Sequence, residues 1–501
     1  MLHQPSKPIA PRILPPHVES ALRRSNPWWE ASLRPPVPKT RRHLAAQLRR
    51  RMDLALAPII VLRGPRQIGK STAHLQIISD LLSEGVSPQR ILRVEFDAVG
   101  RLHDDDPILA IADWFEHRIL GRHFIAAAEA NEPAILLLDE VQNVERWAPQ
   151  LKFLVDNAPV QILVTGSSSL HLAAGQDSLA GRVTTMEAGV LSLTEIAAIR
   201  EFGAIEPFLP DNGLGPLRSP DFWRELRAYG VAQAPIRDQA FAAFSERGGF
   251  PLAHKRADVA WPAMADELVE TVIARVLRHD LQLADVGGEF DPVLMEEVCR
   301  AVFQYAGQAP GLATLQRAVQ ALRGAPLNVQ PVAAYLRALG ETLLVRLVRP
   351  LELRLKKPKG AFKLCLADHG LRAAWLQEPV PLEPSGLRAN PELTPLAGHL
   401  AEGVVGATLS TVNGLDLAWF PERNDDPEVD FVLTIGDRRV PIEVKYQARI
   451  NALQDTDGLR AFLDHRLNRA EFGILVTQGE IEVALDPRIV ALPLSTLLLL
   501  K

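Results

Sequence analysis

The sequence has very little cysteine. Only two of its 501 residues are cysteines, Cys299 and Cys365, and they lie far apart in apolar surroundings. This scarcity excludes a disulfide framework and a cysteine-rich zinc site. We therefore expect both cysteines to be buried thiols in a reducing compartment.

Long apolar runs and an excess of positive charge are also missing. No stretch reaches the roughly 20 apolar residues of a membrane-spanning helix, and residues 1–5 lack the charged-then-apolar order of a signal peptide. The sequence therefore predicts a cytoplasmic protein with no membrane partner. Because the formal net charge is −5, the chain as a whole is not a basic nucleic-acid binder, and contacts with DNA must come from local patches.

One motif organises the chain. The phosphate-loop pattern G-x-x-x-x-G-K-[ST] is formed by Gly64, Pro65, Arg66, Gln67, Ile68, Gly69, Lys70 and Ser71. A short apolar strand pattern precedes the motif, and a helical pattern begins at Thr72, so strand, loop and helix occur in the required order. The loop and the start of the helix, residues 64–72, would surround the phosphates of ATP with their backbone N–H groups, which all of these residues except Pro65 carry, and Lys70 would contact the β- and γ-phosphates.

Polar side chains end the two apolar strands that follow. Asp139 and Glu140 close a buried strand, where acids are unfavourable unless they bind a cation or polarise water. We expect Asp139 and Ser71 to hold Mg²⁺ and Glu140 to orient the attacking water. Thr165 and Ser167 end the next strand, where a polar group can sense the γ-phosphate.

Phosphoryl transfer also needs a positive charge on the leaving oxygens, often supplied by a neighbouring subunit. Arg182 and Arg247, each beside a glycine, are the candidates. The alternative for each is an ordinary surface arginine.

Composition divides the chain into segments. Residues 1–40 contain nine prolines, which predicts little regular structure; their Trp28-Trp29 pair is expected to dock on the protein's own surface, or else on a neighbouring subunit or DNA. Residues 41–290 alternate helices with short apolar strands, as in a parallel α/β sheet, and end in a helical lid. A proline-rich linker, residues 377–395, separates the remaining two segments.

Residues 291–376 show three helical patterns followed by two strands, which is the order of a winged helix. Its basic hairpin would contact DNA phosphates through Lys356, Lys357, Lys359 and Lys363. The alternative is a plain helical packing domain that does not bind DNA.

Residues 396–501 carry a second set of acids. Strand alternation puts Glu443 and Lys445 on one face of their strand, and hairpin pairing through residues 436–437 would bring Asp430 beside Glu443. With Glu402 on the preceding helix, the carboxylates could hold Mg²⁺ or Mn²⁺ while Lys445 stabilises charge during phosphodiester cleavage. The set is similar to the D…E-x-K core of restriction-type nucleases; the alternative is a cross-strand salt bridge.

The chain from about residue 41 onward resembles a group of prokaryotic AAA+ ATPases that carry a C-terminal domain of unknown function. The resemblance rests on the motifs GPRQIGK (64–70), DEVQ (139–142), TGSSS (165–169), LAGR (179–182) and GGFP (248–251). It implies an AAA+ core with strand order 5-1-4-3-2, a winged-helix segment and a restriction-endonuclease-like C-terminal domain of the PD-(D/E)xK type. It also implies homo-oligomers, commonly rings, in which an arginine acts on a neighbouring subunit.

These observations predict an α/β protein that hydrolyses ATP with Mg²⁺ and acts on DNA, by translocation or by remodelling, including of branched junctions. Its nuclease-like C-terminal domain would bind DNA and could cleave it. The alternative is an ATP-dependent signalling switch whose C-terminal domain is a catalytically inactive docking module.

Overall fold

The computed structural model describes residues 13–31, 33–99, 104–166, 179–281, 290–352, 360–422, 427–481 and 486–501. The chain divides into two compact units. The first unit comprises residues 1–63 and 70–186, and the second comprises residues 64–69 and 187–501.

The first unit is built on a five-stranded sheet whose order is β2-β3-β4-β1-β5. Its strands are β1 (Ile59–Arg63), β2 (Ile91–Glu95), β3 (Ile135–Asp139), β4 (Gln161–Gly166) and β5 (Val183–Glu187). The strands β1 to β4 pair in parallel, and their continuous apolar runs are buried, as expected for a parallel sheet covered on both faces. Read from its other edge, the order is 5-1-4-3-2, which confirms the order that the resemblance implied.

Helices of the first unit precede and connect these strands. They are α1 (Pro16–Ser25), α2 (Trp28–Ala31), α3 (His43–Leu54), α4 (Lys70–Ser83), α5 (Phe96–Val99), α6 (Pro107–Phe115), α7 (Phe124–Glu129) and α8 (Trp147–Asn157). Helix α3 buries Leu44, Leu48 and Met52, which follow one another at spacings of four residues.

The N-terminal segment is more ordered than its proline content predicted. Helix α1 starts with proline in its first turn, where the missing N–H costs nothing, and it buries Val18 and Leu22. The indole N–H groups of Trp28 and Trp29 both donate to the carbonyl of Ile91, at 3.2 and 2.9 Å. Docking of the tryptophan pair on the protein's own surface is thereby confirmed.

The second unit contains a series of helices before its sheet, of which those from residue 235 onward fall in the segment predicted to be the lid. They are α9 (Leu193–Ile199), α10 (Pro220–Ala232), α11 (Ala234–Arg247), α12 (Pro251–Lys255) and α13 (Trp261–Leu268), followed by π-helical turns Val269–Ala274 and Val276–Asp280. The later helices are α14 (Pro292–Gln304), α15 (Leu312–Arg323), α16 (Val329–Glu341), α17 (His369–Leu376), α18 (Pro384–Ala389), α19 (Thr394–Ser410), α20 (Asp457–Asp464) and α21 (Leu494–Leu497).

A seven-stranded sheet with the order β12-β11-β10-β9-β8-β6-β7 forms the core of the second unit. Its strands are β6 (Val345–Pro350), β7 (Lys363–Leu366), β8 (Asp416–Phe420), β9 (Val429–Ile435), β10 (Arg438–Lys445), β11 (Gly473–Thr477) and β12 (Ile489–Pro493).

The three helices α14 to α16 and the antiparallel pair β6–β7 occur in the predicted order. However, β6 also pairs in parallel with β8. The β6–β7 pair therefore belongs to the same sheet as the C-terminal strands, although a linker was expected between the two segments. That segment is itself packed, because Leu382 and Leu387 are buried. Within the described residues, no helix combines the length and the apolarity needed to cross a membrane.

Candidate functional site

The loop of residues 64–69 has the backbone that its glycines permit. Gly69 has a φ of 95°, a conformation that glycine adopts without steric cost. At Gly64 a Cβ atom would lie 2.6 Å from Ile68 Cδ1 and 2.8 Å from the carbonyl oxygen of Ala188, so a larger residue does not fit. Both glycines of the motif are therefore required by the geometry of the loop.

Arg66 in this loop makes a bidentate ion pair with Asp280. Arg66 Nη2 lies 2.6 Å from Asp280 Oδ1, and Arg66 Nε lies 3.0 Å from Oδ2. Neighbouring Gln67 accepts a hydrogen bond of 3.1 Å from the Thr271 hydroxyl. The loop is thus tied to the π-helical turns that end the lid.

In the first unit, Asp139 is the centre of a polar cluster at the carboxyl end of the sheet. The Thr165 hydroxyl donates to Asp139 Oδ1, Ser71 also hydrogen-bonds to this carboxyl group, and Arg93 Nη2 lies 3.6 Å from Oδ2. Lys70, the first residue of α4, is buried. The predicted residues Ser71, Asp139 and Thr165 are therefore brought together.

The electrostatics of this cluster favour an ionised carboxylate. Burial alone would raise the pKa of Asp139, yet its pKa lies below the usual value because the nearby His74 imidazole, the hydroxyls of Thr165 and Ser71 and the Arg93 guanidinium stabilise the charge. Burial lowers the pKa of His74 to about 4. Asp139 consequently keeps a negative charge available for a cation.

Sequence reasoning missed His74 and Arg93. Arg93 interrupts an otherwise apolar strand pattern, and that was the available signal. His74 follows Ser71 by three residues on α4, so both lie on one helical face. Neither ring nitrogen of His74 has a hydrogen-bond partner among the described residues.

Glu140 directly follows β3 with a φ of 55° and a ψ of 45°. A residue other than glycine in this left-handed region costs of order 1–3 kcal/mol, and such strain concentrates at functional sites. The Glu140 side chain accepts a hydrogen bond from the Gln142 amide. Ser167, predicted beside Thr165, lies outside the described residues.

The two candidate arginines differ in position. Arg182 is about one-third exposed and forms an ion pair with Asp156. The Arg247 side chain is only 8% exposed, and its guanidinium donates to the carbonyl of Val259 at 2.9 Å. The Arg247 guanidinium is therefore held by contacts within its own chain, whereas Arg182 lies nearer the surface, and a role of either arginine between subunits stays a prediction.

The predicted C-terminal residues also converge. Strands β9 and β10 pair antiparallel with Phe431 opposite Ile442, so Asp430 and Glu443 occupy neighbouring positions, as predicted. The backbone N–H of Val444 donates to Asp430 Oδ2 at 2.8 Å. Lys445 Nζ lies 2.7 Å from Glu443 Oε1.

Lys363, the first residue of β7, completes this carboxylate cluster. Its Nζ lies 2.5 Å from Asp430 Oδ1, 2.7 Å from Glu402 Oε2 and 3.8 Å from Glu428 Oε1. The residue is 1% exposed, so it does not have the surface position expected of a phosphate-contacting lysine. The other lysines predicted to contact DNA, Lys356, Lys357 and Lys359, lie outside the described residues.

The acids of the cluster titrate differently. Burial and the repulsion of Asp430 raise the pKa of Glu443 to about 8, and the same two causes raise the pKa of Glu402. Burial would also raise the pKa of Asp430, but the Lys363 ammonium outweighs it and holds that pKa below its usual value. At neutral pH the cluster therefore contains an ionised Asp430 and a protonated Glu443.

A compact metal triad is not formed by these carboxylates. Among the described residues, Glu116, His117 and His123 form such a group: their ligand atoms all lie within 4.8 Å of one another. Glu402, Asp430 and Glu443 do not meet that geometry, and the Lys363 ammonium lies between two of them. The residues present therefore do not fit the Mg²⁺ or Mn²⁺ expected there from the sequence.

Comparison with protein families agrees with the first site. Residues 57–197 match the family model of an AAA domain. Residues 397–497 and 238–380 match two domains of unknown function, DUF4143 and DUF8612.

The relatives themselves are uncharacterized. A protein of Mycobacterium tuberculosis is 25% identical over 470 residues, covering 91% of this chain and 84% of the relative. A protein of Methanocaldococcus jannaschii is 34% identical over 119 residues, covering 24% of this chain and 23% of the relative.

Solved structures give weak overall matches. A Walker-type ATPase of Pyrococcus abyssi is 15% identical with a TM-score of 0.33, covering 67% of this chain and 97% of that one. The Hsp104–ADP complex of S. cerevisiae is 15% identical with a TM-score of 0.27, covering 65% of this chain and 41% of that one. The assignment rests instead on the family match and on the residues described above: residues 57–197 are a P-loop ATPase domain of the AAA type.

Proposed function

We propose that this domain hydrolyses ATP with Mg²⁺. The observation that carries the proposal is the hydrogen-bonded set of Ser71, Asp139 and Thr165 at the carboxyl ends of parallel strands, the edge at which such sheets bind ligands. A hydroxyl and an ionised carboxylate in contact are oxygen ligands of the kind Mg²⁺ prefers, so Ser71 and Asp139 would hold the ion. When bound, Mg²⁺ would neutralise charge on the phosphates.

The remaining residues have distinct roles in this proposal. The N–H groups of residues 66–69 and the N-terminus of α4 bind phosphate oxygens, and Lys70 contacts the β- and γ-phosphates. Glu140 accepts a hydrogen bond from the attacking water and orients it. Thr165 responds to the γ-phosphate through its hydrogen bond to Asp139.

We further propose that the protein works as a homo-oligomer, with a ring as the expected form, in which Arg182 acts on the nucleotide of the next subunit. Its partial exposure supports this role, because the side chain needs only to leave Asp156. Hydrolysis should then depend on subunit contact.

The ATPase assignment is tested by paired substitutions. Lys70→Ala should abolish nucleotide binding, and Glu140→Gln should keep binding while stopping hydrolysis. Binding is measured with a fluorescent ATP analogue and turnover by phosphate release. A Glu140→Gln protein that hydrolyses ATP at the wild-type rate would refute the role given to Glu140.

We propose that this ATPase acts on DNA. The order of three helices followed by an antiparallel pair and the convergence of Glu402, Asp430, Glu443 and Lys445 support this proposal. The competing function is an ATP-dependent switch with an inactive C-terminal docking module. Under either function, the pairing of Lys363 with the carboxylates favours a C-terminal domain that does not cleave DNA.

Stimulation of ATP hydrolysis by DNA separates the two functions. The ATPase rate is measured with linear, single-stranded, forked and four-way DNA at several salt concentrations. A rise with any of these supports a motor acting on DNA, and charge reversal of Lys356, Lys357 and Lys359 should weaken it and flatten its salt dependence. An unchanged rate with every DNA would favour the switch.

A further inference from the structure

We propose that Lys363 is a built-in cation of the C-terminal cluster, and that the cluster binds no divalent metal while this ammonium is in place. The inference deepens the proposed non-cleaving role of the C-terminal domain. It assigns to Lys363 the charge-neutralising position that a metal ion would occupy in a nuclease.

The contacts of Lys363 support this role. Its ammonium contacts one oxygen of Glu402 and one of Asp430, at 2.7 and 2.5 Å. It also lies 5.0 Å from the centre of the Phe431 ring, close enough for a cation–π attraction. A buried ammonium is unfavourable unless nearby anions compensate for its lost hydration, and these contacts supply that compensation.

Most of the carboxylate oxygens that a metal would need are already engaged. The second oxygen of Asp430 accepts the Val444 N–H, and one oxygen of Glu443 contacts Lys445. The other oxygen, Glu443 Oε2, is buried and has no hydrogen-bond partner among the described residues. A metal ion would therefore have to displace existing contacts of Asp430 and Glu443.

Charge balance leads to the same conclusion. Lys363 contacts Glu402 and Asp430, and Lys445 contacts Glu443, so a divalent ion would enter beside two ammonium groups. Like charges a few ångströms apart repel strongly in a buried site. Metal binding therefore requires that Lys363 leaves the cluster.

The test measures Mn²⁺ binding to the full-length protein without nucleotide. Binding is monitored by the electron paramagnetic resonance signal of free Mn²⁺. Lys363→Met, which keeps side-chain bulk and removes the charge, should gain about one Mn²⁺ per chain. The double variant Lys363→Met, Glu402→Gln should lose that ion again. The matched control Lys445→Met removes the other lysine of the cluster and should gain none, because Lys363 remains.

Wild-type protein is compared with Glu402→Gln in the same assay. Mn²⁺ bound by the wild type and lost in Glu402→Gln would overturn the proposal, and this comparison decides even if Lys363→Met does not fold. A folded Lys363→Met protein that gains no Mn²⁺ would overturn it too. ATPase rates of the same proteins with Mg²⁺ test the proposed hydrolysis separately, so one failure is not mistaken for the other.

Discussion

Arg66 of the glycine loop and Asp280 at the end of the lid form a bidentate ion pair, with Arg66 Nη2 2.6 Å from Asp280 Oδ1. The Asp280 side chain is only 6% exposed, so water competes weakly for this contact. The pair links the conformation of the loop to that of the π-helical turns that end at Asp280. A substitution of Asp280 should therefore change how the loop binds the phosphates of ATP.

Asp280→Asn tests this link. The neutral amide keeps the shape but loses the charge, and hydrogen bonds to charged groups contribute about 1.5–3 kcal/mol. We expect a lower unfolding temperature and several-fold weaker ATP binding, because the loop is no longer held. The control is Glu270→Gln, whose pair with Arg278 is about two-thirds exposed on both sides and should have little effect. Equal effects of both changes would contradict the link.

Glu140→Gln should lower the ATP turnover rate by at least about 10²-fold, the usual contribution of a positioned acid–base group. Affinity for ATP should change little, since Glu140 acts on water rather than on phosphate. Single-turnover phosphate release and equilibrium binding separate the two effects. Gln142→Ala, which removes the donor to Glu140, should cause a smaller loss of rate with Glu140 intact.

Arg182→Ala should reduce ATPase activity by about 10³-fold or more if its guanidinium acts on a neighbouring subunit. Mixing this variant into wild-type protein should then lower activity more than dilution does. Arg224→Ala is the matched control, since Arg224 also forms an exposed ion pair, with Asp221. Activity strictly linear in concentration down to a proven monomer would exclude a role between subunits.

The stability of the protein should depend on pH through Glu443. Its pKa is about 8 in the folded chain and about 4.3 in unfolded chains, so the folded state binds the extra proton between these values. The free energy of unfolding should therefore fall as pH rises through this window, by at most about 1.4 kcal/mol per pH unit from this group. Glu443→Gln should remove that slope in urea titrations at pH 5, 6.5 and 8; an unchanged slope would show that Glu443 is already ionised.

Trp28→Ala should destabilise the first unit by about 3–5 kcal/mol, the usual cost of truncating a buried large aromatic side chain. Trp28 is 2% exposed and donates to the Ile91 carbonyl on β2. Leu33→Ala is the control, because Leu33 is 56% exposed. Thermal unfolding of the two variants measures the difference, and similar midpoints would mean that the N-terminal segment is not part of the folded unit.

Local sequence patterns determined the elements of the first site. The glycine spacing of residues 64–70 and the apolar runs before Asp139 and Thr165 each specify a short segment, because strand and loop preferences act over a few residues. Strand order came from family resemblance and was confirmed by the pairing. The neighbouring positions of Asp430 and Glu443 followed from side-chain alternation and a short hairpin, which are also local properties.

Tertiary packing decided what the local patterns left open. Lys363 belongs to a basic segment that resembles an exposed hairpin, and only the fold brings it to Glu402 and Asp430, although β6 and β8 separate β7 from β9 in the sheet. The docking of Trp28 and Trp29 on Ile91 likewise depends on a surface distant in sequence. Residue type and spacing thus determined which groups could do chemistry, whereas long-range packing decided which ones meet, because burial and charge pairing are properties of the assembled core.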